Sequence, residues 1–186
     1  MLINNKKKIL IWQPFKNYST SLADYMTNYR IFGNGRFLFA QGPVPYLASD
    51  VTEPDHEPGL GHTNWLPARC TNYLKLLPIR NPYDRVISQW KNALKDWGNI
   101  EFDEWLMIHS KQLIMSPVTK MYKYEKLIKV ENIQDELQQL GLWSGEHEFP
   151  HNNKSDIQND FKLNQSQKDI IYYFHYSDFV EGGYEK

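Results

Sequence analysis

The chain has 186 residues, of which 41% are hydrophobic and 23% charged, a composition typical of a folded globular protein. Its net charge is −1, so no overall positive field indicates a nucleic-acid or membrane partner, and any anion site must be assembled locally. The single cysteine, Cys70, excludes an internal disulfide, and the sequence has no Cys/His cluster with the spacing of a zinc site. We therefore expect one domain over 1–186, without a metal, in a reducing compartment.

The N-terminus is basic, and the apolar run that follows it covers only residues 9–12. Such a run is too short for a signal peptide or a membrane span, and it favours a first buried strand. We accordingly expect a soluble, cytoplasmic protein. Apolar residues at helical spacing then predict a helix over 21–30, so that strand, loop and helix follow one another. This arrangement brings helix N-terminal amides beside the loop, where they favour an anion.

The middle of the chain is rich in glycine and proline. Residues 33–67 are expected to form turns with one short strand over 36–40, and loops of this kind often hold substrate. A second strand is predicted over 73–79, ending or bulging at Pro78 because proline has no N–H for a ladder. Asn81 as N-cap and Pro82 as first helical residue then predict a helix. Four apolar residues give that helix a buried face: Val86, Ile87, Trp90 and Leu94.

The C-terminal half carries further helix signals. Residues 102–108 and 133–140 are predicted to be helical, the latter ending at a glycine. A last helix starts at Asn164, where Gln167 completes a capping box. Residues 118–124 are predicted to form a strand.

The segment Arg80-Asn-Pro-Tyr-Asp-Arg-Val-Ile-Ser88 joins a strand end to a helix start. Arg80, Arg85 and the Ser88 hydroxyl are placed to converge on one phosphate, because guanidinium groups bind phosphate bidentately and a hydroxyl adds a hydrogen bond. The alternative is a capped helix with exposed arginines. The segment resembles the 3′-phosphate-binding element of the sulfotransferases that use 3′-phosphoadenosine 5′-phosphosulfate (PAPS). That resemblance implies that Arg80 and Ser88 hold the 3′-phosphate of PAPS, while Arg85 supports the element.

The first loop is similar to the Lys-Thr-Gly-Gly-Thr-Ser-Leu form of the 5′-phosphosulfate loop in carbohydrate (glycosaminoglycan-type) sulfotransferases. Tyr18 and Ser19 replace the two glycines, and Phe15 separates the lysine from Pro14. The resemblance implies that the loop binds the cofactor and that Lys16 is catalytic, its ammonium stabilising charge on the leaving oxygen. The residues so assigned are Lys16, Asn17, Tyr18, Ser19, Thr20, Ser21 and Leu22.

Sulfuryl transfer also needs a base for the acceptor hydroxyl, and histidine suits this role because its pKa lies near neutrality. His62 follows Gly61 upstream of Arg80, where related sulfotransferases carry a Gly-His, so the resemblance implies that His62 is the base. His56 is an alternative. So are the carboxylates around it: Glu53, Asp55 and Glu57.

The acceptor is expected to contact His56, Trp65 and Arg69, because tryptophan packs on sugar faces and arginine suits acidic saccharides. The alternative for Trp65 is a place in the core. Residues 151–155 resemble a His-x-Asn-x-Ser stretch that borders the nucleotide in the family, which implies a cofactor contact for Lys154. Three further segments extend the resemblance, or are ordinary core and turn residues: 124–127, 176–179 and 183–184.

Together these features predict an α/β fold with a P-loop-like parallel sheet flanked by helices, as in sulfotransferases. The expected reaction is sulfuryl transfer from PAPS to a hydroxyl group of a saccharide acceptor. No metal, nucleic-acid partner or membrane partner is expected. A nucleotide or small-molecule kinase is one alternative, which the lack of a Gly-x-x-x-x-Gly-Lys-Ser/Thr motif disfavours. A non-catalytic nucleotide-binding module is the other, and the missing loop glycines motivate it.

Overall fold

A computed structural model describes residues 2–4, 7–14, 21–22, 68–110, 116–143 and 161–186. These residues divide between two units, each made of two chain segments. The sheet unit draws on Met1–Pro78 and Tyr122–Asn153, and the helical unit on Ile79–Met121 and Lys154–Lys186. The single domain over 1–186 stays a prediction.

Within the described residues, the strands form one mixed sheet in the order β1-β2-β3-β4. Its members are β1 (Leu2–Asn4), β2 (Ile9–Ile11), β3 (Leu74–Ile79) and β4 (Lys126–Lys129). β1 pairs antiparallel with β2, as the short connection between them requires, whereas β2 pairs parallel with β3. The predicted α/β class is confirmed, but the sheet is mixed rather than wholly parallel.

The helices among the described ranges are α1 (Pro82–Trp97), α2 (Phe102–His109), α3 (Val118–Met121), α4 (Ile133–Gln139), α5 (Gln165–Phe174) and α6 (Tyr176–Gly182). Ser21 and Leu22 are also helical. Among the residues that the structure describes, no helix is long and apolar enough to cross a membrane.

The core of the sheet unit forms where β2 and β3 meet α4. Ile9 lies opposite Leu74 and Ile11 opposite Leu76, and the core contains Ile11, Leu76 and Leu137 of α4. β2 is buried at every position and β3 from Lys75 onward, as expected of the apolar runs that predicted strands over 9–12 and 73–79, and both strands are confirmed. Gly141 ends the α4 segment with φ 63°, a left-handed value that glycine adopts without strain.

Pro78 lies within β3, so the prediction that the strand ends there is wrong, while the alternative of a bulge stays a prediction. The strand continues for one residue, to Ile79. Leu76 is the last β3 residue in register with β2, and its carbonyl accepts the Trp12 N–H at 2.9 Å. Pro78 lies beyond this ladder, so its lack of an N–H costs the β2–β3 pairing no hydrogen bond.

The helical unit has its own core, formed by α1, α2, α5 and α6. Val86, Trp105, Ile171 and Phe179 are almost fully buried in it. The helix predicted over 102–108 is confirmed as α2. The capping box predicted for the last helix is also confirmed, because Asn164 Oδ1 accepts the backbone N–H three residues on and the reciprocal bond is present.

The strand predicted over 118–124 is wrong, because residues 118–121 form the helical turn α3. Asp178 lies at its start: its carboxylate accepts the backbone N–H of Val118 at 3.0 Å and of Thr119 at 2.9 Å. A carboxylate on otherwise unpaired first-turn amides stabilises a helix N-terminus. This contact outweighs the strand preference of the valine, threonine and tyrosine side chains in the segment.

Candidate functional site

The junction between β3 and α1 carries the first candidate residue, Arg80. It directly follows Ile79, the last residue of β3, and precedes Asn81, whose Oδ1 caps α1 by accepting the Tyr83 N–H at 2.9 Å. Pro82 occupies the first helical position, so both N-terminal predictions for α1 are confirmed. The helix dipole directs partial positive charge toward the junction, which favours a bound anion.

The Arg80 side chain is half-buried. Within the described parts of the chain it makes no hydrogen bond and no ion pair. A guanidinium carries a positive charge and several N–H donors in a planar fork, so partial burial without a partner leaves strong binding capacity for an anion. The structure thus gives Arg80 the properties expected of an anion-binding residue.

Ser88 lies on α1, two turns beyond the N-cap Asn81. Seven residues correspond to about 10 Å along a helix axis and return to nearly the same face. Ser88 is half-buried, and its hydroxyl has no hydrogen-bond partner among the residues with described side chains. The Ser88 hydroxyl thus lies about two helical turns along α1 from the junction that carries Arg80.

Arg85 occupies a different environment, although it belongs to the same segment. It is 2% exposed, and its Nη2 donates to the Ser116 carbonyl at 3.0 Å and to His175 Nδ1 at 2.8 Å. Its Nη1 lies 3.4 Å from Asp178 Oδ2. The expectation that Arg85 meets a phosphate together with the other two residues is therefore wrong. Its burial and internal partners suit the supporting role that the family resemblance implies.

Asp178 and His175 complete this buried network. Asp178 is 1% exposed, and besides the two backbone amides of α3 it accepts the Thr119 hydroxyl at 2.8 Å. His175 is fully buried, with Nδ1 3.8 Å from Asp178 Oδ2. Burial, and secondarily the charge of Arg85, lower the pKa of His175 to about 2. The ring is thus neutral, and since Nδ1 accepts from Arg85, we assign the proton to Nε2.

Neither His175 nor Asp178 was among the candidate residues from the sequence. The segment 176–179 resembles a family ending, but nothing in it or in the preceding His175 predicts that the histidine bonds Arg85, 90 residues away. Asp178 and Phe179 are buried, as expected of the alternative interpretation of this segment as core. The signal that could have suggested the pair is their opposite charge. An arginine or an aspartate is costly to bury alone, so the two can be buried only together.

Two residues of the predicted phosphosulfate loop are described. Ser21 is 2% exposed, and Leu22 is fully buried. The Leu22 side chain packs in the core of the sheet unit with Ile11 and Leu76. A cofactor contact by Leu22 would therefore come from its main chain.

The other predicted site residues lie outside the described residues or lack a described side chain. Arg69 is in the short 3₁₀ turn Ala68–Cys70, with only its backbone described. The residues outside are Lys16, Asn17, Tyr18, Ser19, Thr20, His56, His62, Trp65 and Lys154. In the described ranges, no group of three or more His, Cys, Asp or Glu side chains is placed to hold a metal ion.

Comparison of the chain with protein-family models, with curated proteins and with solved structures found no match. The resemblance to PAPS-dependent sulfotransferases therefore rests on the sequence segments themselves. The structure describes the most specific of them, residues 80–88, in full. It also describes the C-terminal segments 176–179 and 183–184.

Proposed function

We propose that this protein is a PAPS-dependent sulfotransferase that transfers a sulfuryl group to a hydroxyl group of a carbohydrate acceptor. The observation that carries the proposal is Arg80, half-buried and without a partner among the described residues, beside the capped start of α1. An anion such as the 3′-phosphate of PAPS compensates for the hydration that a half-buried guanidinium loses. The segment that contains Arg80 also resembles the family's 3′-phosphate element.

In the proposed reaction, the bond between sulfur and the bridging oxygen of the 5′-phosphate breaks while a bond from sulfur to the acceptor oxygen forms. The acceptor proton passes to His62, with His56 or a neighbouring carboxylate as the alternative base. Negative charge develops on the departing phosphate oxygen, and Lys16 stabilises it. The products are a sulfate ester and adenosine 3′,5′-bisphosphate.

The binding roles follow from the same resemblance. Residues 16–22 hold the 5′-phosphosulfate, and Lys154 borders the nucleotide. Arg80 and Ser88 hold the 3′-phosphate and thereby distinguish PAPS from ATP. His56, Trp65 and Arg69 contact the acceptor. The sheet adopts the P-loop-like sulfotransferase fold in this proposal, and the enzyme works in the cytoplasm without a metal.

The proposal is tested by the affinity of Arg80→Ala for two nucleotides that differ only in the 3′-phosphate. A charge-assisted hydrogen-bonding contact is worth about 2 kcal/mol, so we expect about 30-fold weaker binding of adenosine 3′,5′-bisphosphate. Binding of 5′-AMP should change by less than about twofold. The measurement is isothermal titration calorimetry.

Lys95→Ala provides the matched control, because Lys95 is an exposed cation in the last turn of the same helix. It should leave both affinities unchanged. Equal losses for the two nucleotides in Arg80→Ala would contradict the 3′-phosphate assignment.

A further inference from the structure

The C-terminal segment contacts the backbone immediately before Arg80. The Tyr184 hydroxyl donates a hydrogen bond to the carbonyl oxygen of Ile79, at 3.2 Å. Ile79 is the last residue of β3 and is fully buried. The peptide unit that leads into Arg80 is therefore held by a side chain from the end of the chain, 105 residues away.

The shape of the C-terminal turn makes this contact possible. Gly183 follows α6 with φ 60°, a left-handed value, and the Tyr184 N–H returns to the Phe179 carbonyl at 2.9 Å. A Cβ at Gly182 would lie 2.6 Å from the Tyr184 ring and 3.1 Å from the Ile79 side chain. The two glycines thus allow the tyrosine ring to pack closely against α6 and reach Ile79.

The same segment also contacts the first turn of α1 beyond Arg80, through the Arg85 side chain. The Arg85 N–H donates to the Asn81 carbonyl at 2.9 Å, which closes the first turn of α1, and the Arg85 side chain bonds His175 and faces Asp178. Ser88 lies one turn further, three residues after Arg85, so the two share adjacent parts of the helix surface. Rotating α1 would move Ser88 and would separate the buried Arg85 from its partners.

We propose that His175, Asp178 and Tyr184, here called the C-terminal clamp, are positioning residues for the 3′-phosphate site. This inference rests on the proposed function. The clamp holds the backbone immediately before Arg80 and the Arg85 side chain in the first turn of α1, and through Arg85 it fixes the rotation of α1 about its axis and hence the direction of the Ser88 hydroxyl. Displacements of about 1 Å are enough to weaken a site built from directional hydrogen bonds severely.

The chemistry of the clamp favours positioning over stabilisation alone. A buried ion pair contributes little net stability compared with apolar residues of similar volume, because both charges lose their hydration. Breaking it is costly, however, since one charge is then left buried without a partner. The Arg85–Asp178 contact therefore permits one arrangement of α1 against α6 and penalises others, which suits a site that requires a fixed geometry.

The clamp is tested by Tyr184→Phe, which removes only a hydroxyl, and by Asp178→Asn, which removes the charge but keeps an oxygen acceptor. We expect Tyr184→Phe to weaken adenosine 3′,5′-bisphosphate by about fivefold, and Asp178→Asn by about tenfold or more. In both variants 5′-AMP affinity should change by less than about twofold. If Asp178→Asn does not fold, the milder Tyr184→Phe decides alone.

Two controls separate positioning from general stability. Tyr173→Phe removes a hydroxyl from a tyrosine that is 77% exposed on α5, and it should leave both affinities unchanged. Ile171→Val lowers stability by thinning the core of the same unit, and it should not alter the ratio of the two affinities.

The outcomes distinguish this inference from the proposed function. A wild-type protein that prefers the bisphosphate, with the preference lost in Arg80→Ala but kept in Tyr184→Phe and Asp178→Asn, overturns the clamp alone. Equal weakening of both nucleotides in the clamp variants also overturns it, because that pattern reflects a general structural role. A wild-type protein with no preference for the 3′-phosphate overturns the proposed function and the clamp together.

Discussion

Protonation of His175 should make the folded protein sensitive to mild acid. Its ring is fully buried beside Arg85 and Asp178, and burial, followed by the charge of Arg85, lowers its pKa from 6.5 to about 2. As the pH falls below about 6.5, the unfolded chain binds a proton at this residue that the folded chain excludes. Stability is therefore lost progressively as the pH falls from 6.5 toward 2, and it is fully present above 6.5.

The size of this loss of stability follows from how much of the pH range between the unfolded and folded pKa values of His175 is crossed. Each pH unit within it corresponds to about 1.4 kcal/mol of unfolding free energy. Between pH 7.5 and pH 4.5 the contribution of His175 is thus about 3 kcal/mol. This is a large share of the 5–15 kcal/mol that is roughly typical of a folded domain.

The assay is urea unfolding at both pH values, followed by the fluorescence of the 6 tryptophans. In His175→Gln, the amide oxygen can accept the Arg85 N–H but does not titrate. The variant should therefore lose about 3 kcal/mol less than the wild type between the two pH values, whatever its stability at pH 7.5. Ile171→Val, a core control that keeps the histidine, should retain the wild-type pH dependence. The same pH dependence in wild type and His175→Gln would refute the reasoning.

Two further predictions concern the ion pairs and the proposed chemistry. Arg85→Ala should lower the free energy of unfolding by about 3–5 kcal/mol, because it leaves Asp178 buried without its cation, whereas Lys120→Ala, which breaks the exposed pair with Glu181, should cost less than about 1 kcal/mol. Similar losses in urea unfolding would contradict the buried-pair account. Lys16→Ala should reduce turnover of PAPS far more than nucleotide affinity in steady-state kinetics and calorimetry, and equal losses would remove its proposed role.

Local sequence signals were sufficient to predict the elements whose ends are set by residues close to them in the chain. Alternating or continuous apolar residues predicted β2 and β3, and the Asn-Pro pair predicted the start of α1, because a cap and a proline act within one turn. The capping box of α5 is equally local. The candidate residue Arg80 is of this kind, since its place between a strand and a helix start follows from its immediate neighbours.

Features that depend on distant partners escaped sequence reasoning. The segment that begins with Val118 favours a strand by side-chain type, yet a carboxylate about 60 residues away makes it helical. β1 has three residues and is defined by its pairing with β2, so its length gave no periodic signal. The clamp is similar, because no pattern within either segment indicates that Arg85 bonds His175 or that Tyr184 reaches Ile79.

The central claim, that the protein transfers a sulfuryl group from PAPS, is tested most directly by following labelled sulfur. The protein would be incubated with PAPS labelled in its sulfuryl group and a panel of saccharides. The account predicts that label appears in a saccharide ester with one adenosine 3′,5′-bisphosphate formed for each ester. Transfer of the terminal phosphoryl group from ATP with magnesium, with no transfer from PAPS, would contradict it and favour a kinase. Tight binding of adenosine 3′,5′-bisphosphate without transfer to any acceptor would contradict it in favour of a non-catalytic nucleotide-binding protein.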